Sequence, residues 1–374
     1  MGLKNVLGRL ATTRCHVLIV EAPGYASVRM AVEQDLVRRG WVPALSPADA
    51  DILCVCGEPA ADLAEVLSRI WDELPAPRAR TTVVSAADID GALTACAREL
   101  ANPELQAAQA GERKNDAGSP TAGDHDAMDD GEMDHSQMDD GEMDHSGMDH
   151  GGMDMPMPDG IALAGQGADR DGLDLDELQV PLGPVLPFWP AGLVLRCRLQ
   201  GDVVMSAQAE WLTVGPGAEA TVADSRALIV HQTDLAARLL RLAGSTDAAG
   251  RMERIRNQVL AGSPAAASHE PLTIELSRLK RSFLLRWALR GVGRIDADEP
   301  RPEAGTDAWD RLLGMVEGAV SAAAGVQQPP PRLSRHLDAA LLADLAAGQE
   351  LGTVRLIVAS LDLSPVAALT AAAR

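Results

Sequence analysis

The residues best suited to chemistry lie in one repeat. From Met128 the chain reads MDDGE MDHSQ MDDGE MDHSG MDHGG MDM, a period of five in which Met128, Met133, Met138, Met143, Met148 and Met153 are each followed by Asp. His135, His145 and His150 each stand two residues after a methionine, and eight of the thirteen methionines fall between 128 and 157. Thioether and imidazole donors suit soft copper, with Met favouring Cu(I) and His with carboxylate favouring Cu(II). A flexible chain wraps several such ligands around an ion without a preformed site. The expected ligands are Met133, His135, Met143, His145, Met148, His150 and Met153, and copper is the metal they imply. The plain alternative is an acidic, repeat-expanded spacer whose methionines ligate nothing.

Other candidates point away from a recognisable catalytic centre. Cys54 and Cys56 lie two apart in an apolar run of strand length, so both face one side of the strand. Burial there keeps thiols protonated and inert, and small core residues are the expected role. The five cysteines (Cys15, Cys54, Cys56, Cys96 and Cys197) are odd in number and scattered. That pattern suits reduced thiols in a cytoplasmic protein better than a disulfide framework. No C-x-x-C and no paired Cys/His ligand set occurs, so no iron–sulfur cluster is expected. His16, His231, His269 and His336 are isolated and read as structural. The EAPGYAS loop (21–27) follows a strand and precedes a helix, where α/β folds bind anions or cofactors. It lacks G-x-G-x-x-G and a P-loop lysine, and the chain has no G-x-S-x-G or H-E-x-x-H, so no catalytic residue is assigned.

These residues need elements to hold them. CHVLIVE (15–21) reads as a buried strand, and SVRMAVEQDLVRRG (27–40) as a helix with Val28, Val32, Leu36 and Val37 on one stripe, ending at Gly40. A short strand at 41–45, a strand at 51–57, a helix from Pro59 to Pro75, a strand at 81–86 and a helix at 88–100 with Asp88 as N-cap follow. Alternating strands and helices imply a mostly parallel sheet with helices on both faces. Beyond residue 172, a proline-rich start leads to two strand-like runs around Gln200, Gly201 and Asp202, which suits a hairpin. Helices are expected at 225–244, 248–262, 272–293, 307–322 and 335–347, with 354–363 either strand or helix. The 272–293 helix carries Lys280, Arg281, Arg286 and Arg290; its polar face is solvated, or docks an acidic partner or the chain's own acidic segment.

Charge divides the chain of 374 residues. Residues 1–110 carry 10 basic and 14 acidic side chains, 111–172 carry 3 and 17, and 173–374 carry 20 and 23. Two nearly neutral modules therefore flank one acidic stretch with no Lys or Arg between Lys114 and Arg170. Self-repulsion and the scarcity of large aliphatic residues predict a disordered, extended linker over 111–172. At about 5–6 Å × √n, some 50 residues of coil span roughly 40 Å, enough to let the modules dock. The total of −21 argues against nucleic acid and anionic membrane as partners. No apolar run reaches transmembrane length and the amino terminus has no secretory pattern, so direct membrane insertion and export are not expected.

Two stretches carry a family resemblance. SPADADILCVCGEPAADLAEVLSRIWDELPAPRARTTVVSA (46–86) resembles the small, hydrogenase-related 20 kDa-type subunit of NADH:quinone oxidoreductase, respiratory complex I. VPLGPVLPFWPAGLVLRCRLQGDVVMSAQAEWL (180–212) resembles the start of the 49 kDa-type large subunit and of related nickel–iron hydrogenases. MDHSGMDH is similar to Met/His-rich segments of copper-resistance proteins. The departures are specific. The small-subunit family places a Cys-Cys pair after its first strand, where this chain reads EAPGYASVR. The family's Gly-Ser-Cys turn is replaced by Ser-Ala-Ala-Asp from Ser85, and its large-subunit partner's His-Arg-Gly or C-x-x-C is replaced by AEWLTVGPG. No cluster, quinone or nickel ligand transfers to a position here.

Taken together, the expected architecture is an α/β amino-terminal module with a parallel, flavodoxin-like sheet (1–110) and an α+β, mainly helical carboxyl-terminal module with a short antiparallel hairpin (173–374), joined by the disordered linker. The resemblance implies a non-catalytic accessory, assembly or regulatory protein whose partners are other subunits of a respiratory or hydrogenase-type complex, held at the membrane periphery through that complex. The alternatives are a copper-binding or copper-buffering protein acting through the linker, and an electron-transfer subunit with an unrecognised cofactor site.

Overall fold

The computed structural model describes residues 14–117, 165–168, 174–215, 224–298, 303–326 and 335–363. The Met/His repeat, and with it Met133, His135, Met143, His145, Met148, His150 and Met153, lies outside the described residues, as does the greater part of the expected linker. The described parts of 111–172 are regular: a helix reaches Ala117 and a strand occupies Gly165–Ala168.

The first module follows its hydrophobic pattern. Strand β1 (His16–Glu21) leads through a tight loop into α1 (Ala26–Arg39), which stops at Gly40 in the left-handed region, with φ of 70°. Then come β2 (Val42–Pro43), β3 (Ile52–Cys56), α2 (Ala61–Glu73), β4 (Ala79–Val83), α3 (Ile89–Leu100) and α4 (Pro103–Ala117). The sheet order is β2-β1-β3-β4, every pair parallel, which is the flavodoxin-like order through its fourth strand. β1 to β2 moves one way along the sheet and β3 to β4 the other, so right-handed crossovers put α1 and α2 on opposite faces. β3 is buried at every position, as a central strand covered on both faces must be. Two local expectations shift. β4 starts at Ala79 rather than 81, because its register runs from Ile52↔Ala79 to Cys56↔Val83. Asp88 makes no helix-capping bond; its Oδ2 accepts from the Ser85 hydroxyl at 2.7 Å.

The second module is a sheet backed by helices. The hairpin is present as β7 (Leu193–Gln200) and β8 (Val203–Trp211), turning at Gly201. It is part of a larger antiparallel sheet, with β5 (Gly165–Ala168) and β6 (Asp174–Leu182) adding on in the order β5-β6-β7-β8. The helices are α5 (Ser225–Leu242), α6 (Thr246–Leu260), α7 (His269–Arg281), α8 (Phe283–Leu289), α9 (Ala308–Ala323), α10 (Arg335–Ala346) and α11 (Leu351–Ser360). The single helix expected over 272–293 is broken at Ser282, whose hydroxyl accepts from the Leu285 N–H and so begins a new helix. The run 354–363 is helical up to Ser360.

Three buried clusters hold the fold: one around the parallel sheet, one within α5, α6, α7 and α9, and one between the antiparallel sheet and α10 and α11. Met30 of α1 belongs to the helical cluster, so the first module sends a side chain into the core of the second. Contacts between modules are also made where Asp62 Oδ2 accepts from the Thr213 N–H at 2.6 Å. At Gly192, whose φ is 77°, a Cβ would stand 2.6 Å from Pro23 of the β1–α1 loop. Among the described residues no helix is long and apolar enough to cross a membrane.

Candidate functional site

The two modules meet on a group of charges that are buried together. Glu21 ends β1, and Arg29 and Glu33 stand one turn apart on α1. From the other side, α5 presents Asp234 and Arg238, again one turn apart, and α6 presents Arg256. The Arg29 guanidinium donates to Glu21 Oε2 at 2.5 Å, to Glu33, and to Asp234 Oδ2 at 2.7 Å. Arg256 reaches Asp234 Oδ1 at 2.5 Å and Glu33 Oε2 at 2.8 Å. Arg238 completes the set with Asp234 Oδ2 at 3.0 Å and Glu21 Oε2 at 3.3 Å. Three guanidiniums and three carboxylates thus balance, which is the condition under which buried charge is tolerated. Burial by itself would raise the Asp234 carboxyl, but Arg238, Arg29 and Arg256 overcome it and hold the group far below the ordinary carboxylate range. Glu33 is likewise held low against burial by Arg29 and Arg256.

Beside this network lies a cavity of about 590 Å³ between the β1–α1 loop, α5 and the end of α11. Glu21, Gly24, Ala26, Ser27 and Met30 line it from the first module. One stripe of α5 lines it from the second: Arg226, Ala227, Val230, His231, Asp234 and Arg238. Leu361 and Leu363 close the far side. The volume is that of a small-molecule site, and an apolar wall with a few convergent polar groups is the usual composition of one. His231 is its distinctive member. Its Nε2 is 2.9 Å from both carboxylate oxygens of Asp362, 131 residues away in sequence. Burial would lower the imidazolium, yet the Asp362 carboxylate outweighs that and holds the group above the ordinary histidine value. The carboxylate fixes the ring's orientation, so the wall presents one oriented imidazole beside apolar surface.

The EAPGYAS loop therefore contributes to a cavity where the sequence places a ligand-binding turn. Cys54 and Cys56 are fully buried in β3, and the Cys56 thiol is pushed well up by its hydrogen bond with Cys54 and by burial. Burial pushes the Cys96 thiol up to about 12, and Cys15 and Cys197 up to about 11. These thiols are core groups and none lines the cavity. His16 sits at the start of β1, with Nδ1 2.8 Å from Asp49 Oδ1, away from the cavity. His269 opens α7 and His336 lies in α10. Among the described residues no group of three or more His, Cys, Asp or Glu side chains could hold a metal ion.

Sequence reasoning set His231 aside with the other isolated histidines, and nothing local links it to Asp362. The ion network had a readable trace. Asp234 lies on the buried stripe of α5 with Val230, Ala237 and Leu240, and Arg29 lies between Val28 and Met30 on the buried side of α1. A charged residue on an apolar stripe demands a buried partner, though not which one. No family model, no curated protein and no solved structure matches this chain.

Proposed function

We propose that this chain is a non-catalytic accessory, assembly or regulatory protein of an NADH:quinone oxidoreductase or hydrogenase-type system, in which a small-subunit-like and a large-subunit-like module are closed on one another. The observation that carries this reading is the ion network across their boundary. Arg29, Glu21 and Glu33 of one module are fully engaged by Asp234, Arg238 and Arg256 of the other. A chain that supplies both halves of such an interface occupies by itself the surface that two separate subunits would share. The thiols support the non-catalytic part of the reading, because all five are buried core groups and burial holds the proton on Cys15, Cys56, Cys96 and Cys197.

The test is a tagged pull-down from gently solubilised native membranes, with quantitative mass spectrometry of what co-purifies. Enrichment of complex I-like or hydrogenase-like subunits is the expected result, and recovery of the chain alone overturns the reading.

The cavity favours a second reading, a subunit that carries a small organic cofactor between its modules. Its volume and the oriented His231 imidazole support this. A visible absorption band in the purified full chain, lost in His231→Leu, is the outcome that would place this reading first.

A further inference from the structure

One turn of the molecule groups three large apolar side chains on the outside. In α8, Phe283, Leu284 and Trp287 are 76%, 74% and 76% exposed. The chain has only two Phe and six Trp in 374 residues, and here one of each stands outward within five positions. At about 100° per residue, Phe283, Trp287, Leu284 and Ala288 form one continuous stripe opposite the buried pair Leu285 and Leu289. The helix is therefore amphipathic in an unusual sense: one apolar face anchors it to the fold, and a second, bulkier one faces outward.

The surroundings of that stripe are basic. Arg286 and Arg290 flank it on one side, and Arg278, Lys280 and Arg281 end α7 immediately before it. Lys280 pairs with Glu317 at 2.8 Å and Arg290 with Asp310 at 2.6 Å. Arg278 pairs with Glu275 at 3.1 Å. Arg281 and Arg286 make no ion pair among the described residues and are exposed. An acidic partner is selected by those two free guanidiniums, and an apolar one by Trp287, Phe283 and Leu284. An indole and a phenyl ring flanked by arginines with long apolar stems is the composition that settles at the boundary between headgroups and acyl chains.

We infer that the α7–α8 corner is a docking surface for an anionic lipid bilayer, with Phe283, Leu284 and Trp287 entering the interfacial layer and Arg281 and Arg286 meeting lipid phosphates. The total of −21, which taken as a whole argues against an anionic membrane, is concentrated in 111–172, where 3 basic and 17 acidic residues stand, and the two modules are nearly neutral. Surface charge acts over about one Debye length, ~8 Å at physiological salt, so the local sign governs adsorption. The mode is monotopic and requires no spanning helix.

The experiment is co-sedimentation of the full chain with protein-free vesicles of phosphatidylcholine containing one quarter phosphatidylglycerol, alongside pure phosphatidylcholine vesicles. Binding to the anionic vesicles that weakens with added salt is expected, with Phe283→Ser/Trp287→Ser reducing partition by about tenfold or more. A second variant, Arg281→Glu/Arg286→Glu, leaves the apolar stripe intact and is expected to abolish the preference for anionic vesicles. Circular dichroism confirms that both variants are folded. Absence of binding to anionic vesicles, or binding unchanged by both variants, overturns the inference. So does a concentration-dependent dimer that Phe283→Ser/Trp287→Ser dissociates, which would assign the stripe to a second copy of the chain. Because no protein partner is present, the result is independent of the pull-down that tests the proposed function.

Discussion

Arg29 in α1 and Asp234 in α5 meet at 2.7 Å across the module boundary, although 205 residues separate them in the chain. Both are buried, and Asp234 is shared among three guanidiniums, so this contact ties the two modules together at their boundary. Asp234→Ala leaves Arg29, Arg238 and Arg256 without their common counter-charge. A loss of about 3–5 kcal/mol is expected, read as a lower denaturant midpoint. In a double-mutant cycle with Arg29→Ala the two losses should fall well short of additive, since each removes the same interaction. Additivity would show that the pair contributes nothing of its own.

The same network sets an acid limit. The carboxyls of Asp234 and Glu33 are held below their ordinary values, so their contribution is complete above the unfolded-state values near 4 and is lost as pH falls toward the folded ones. Unfolding free energy measured from about pH 6 downward should stay level to about pH 5 and then fall steeply. Asp234→Asn should flatten that limb.

His231 imposes the opposite slope. Its folded-state value is raised above the model-peptide 6.5 by Asp362, so the stabilisation is full below 6.5 and disappears as pH rises through the raised value. Stability should therefore decline modestly on the alkaline side of pH 6.5, and Asp362→Asn should remove the decline. An imidazole NMR titration reports the same shift directly: the His231 midpoint should lie above 6.5 in the natural chain and return to or below it in Asp362→Asn.

Gly57 lets the carboxyl end of β3 close against the β1–α1 loop. Its φ is 99°, and a Cβ there would lie 2.2 Å from the ring of Tyr25. Gly57→Ala combines backbone strain with a clash against a buried ring and should cost about 2 kcal/mol or more. The melting temperature of the full chain checks this, and Gly91→Ala, where a Cβ meets nothing within 4 Å, is the control that should not destabilise.

Asp307 begins α9 with a reciprocal capping box to Asp310 and also accepts from the Gly291 N–H at 2.9 Å. Its removal leaves that donor and the first turn of α9 without their acceptor. Asp307→Ala should cost about 1–2 kcal/mol by chemical denaturation. Asp307→Asn, which keeps an accepting oxygen, should recover part of the loss.

The local periods of the sequence determined the elements. CHVLIVE and DILCVCG carry the unbroken apolar runs VLIV and ILCVC and became parallel strands of the sheet, and Val28, Val32 and Leu36 became a buried helix face ending at Gly40, whereas Val37, expected on the same stripe, is exposed. The hairpin around Gly201 was equally legible. Strand β6 was not, because Pro181 and its acidic residues mask the alternation of Val180 and Leu182, and its pairing with β7 supplies what local propensity lacks. The break at Ser282 was hidden for a related reason: the helical period continues through it, and a single hydroxyl cap decides the boundary. The candidate site lay further from view. Charged residues on the apolar stripes of α1 and α5 announced that partners exist, but burial made them necessary and the fold alone chose them. Arg29 found Asp234, and His231 found Asp362, because two modules closed and brought together groups that 205 and 131 positions of chain keep apart.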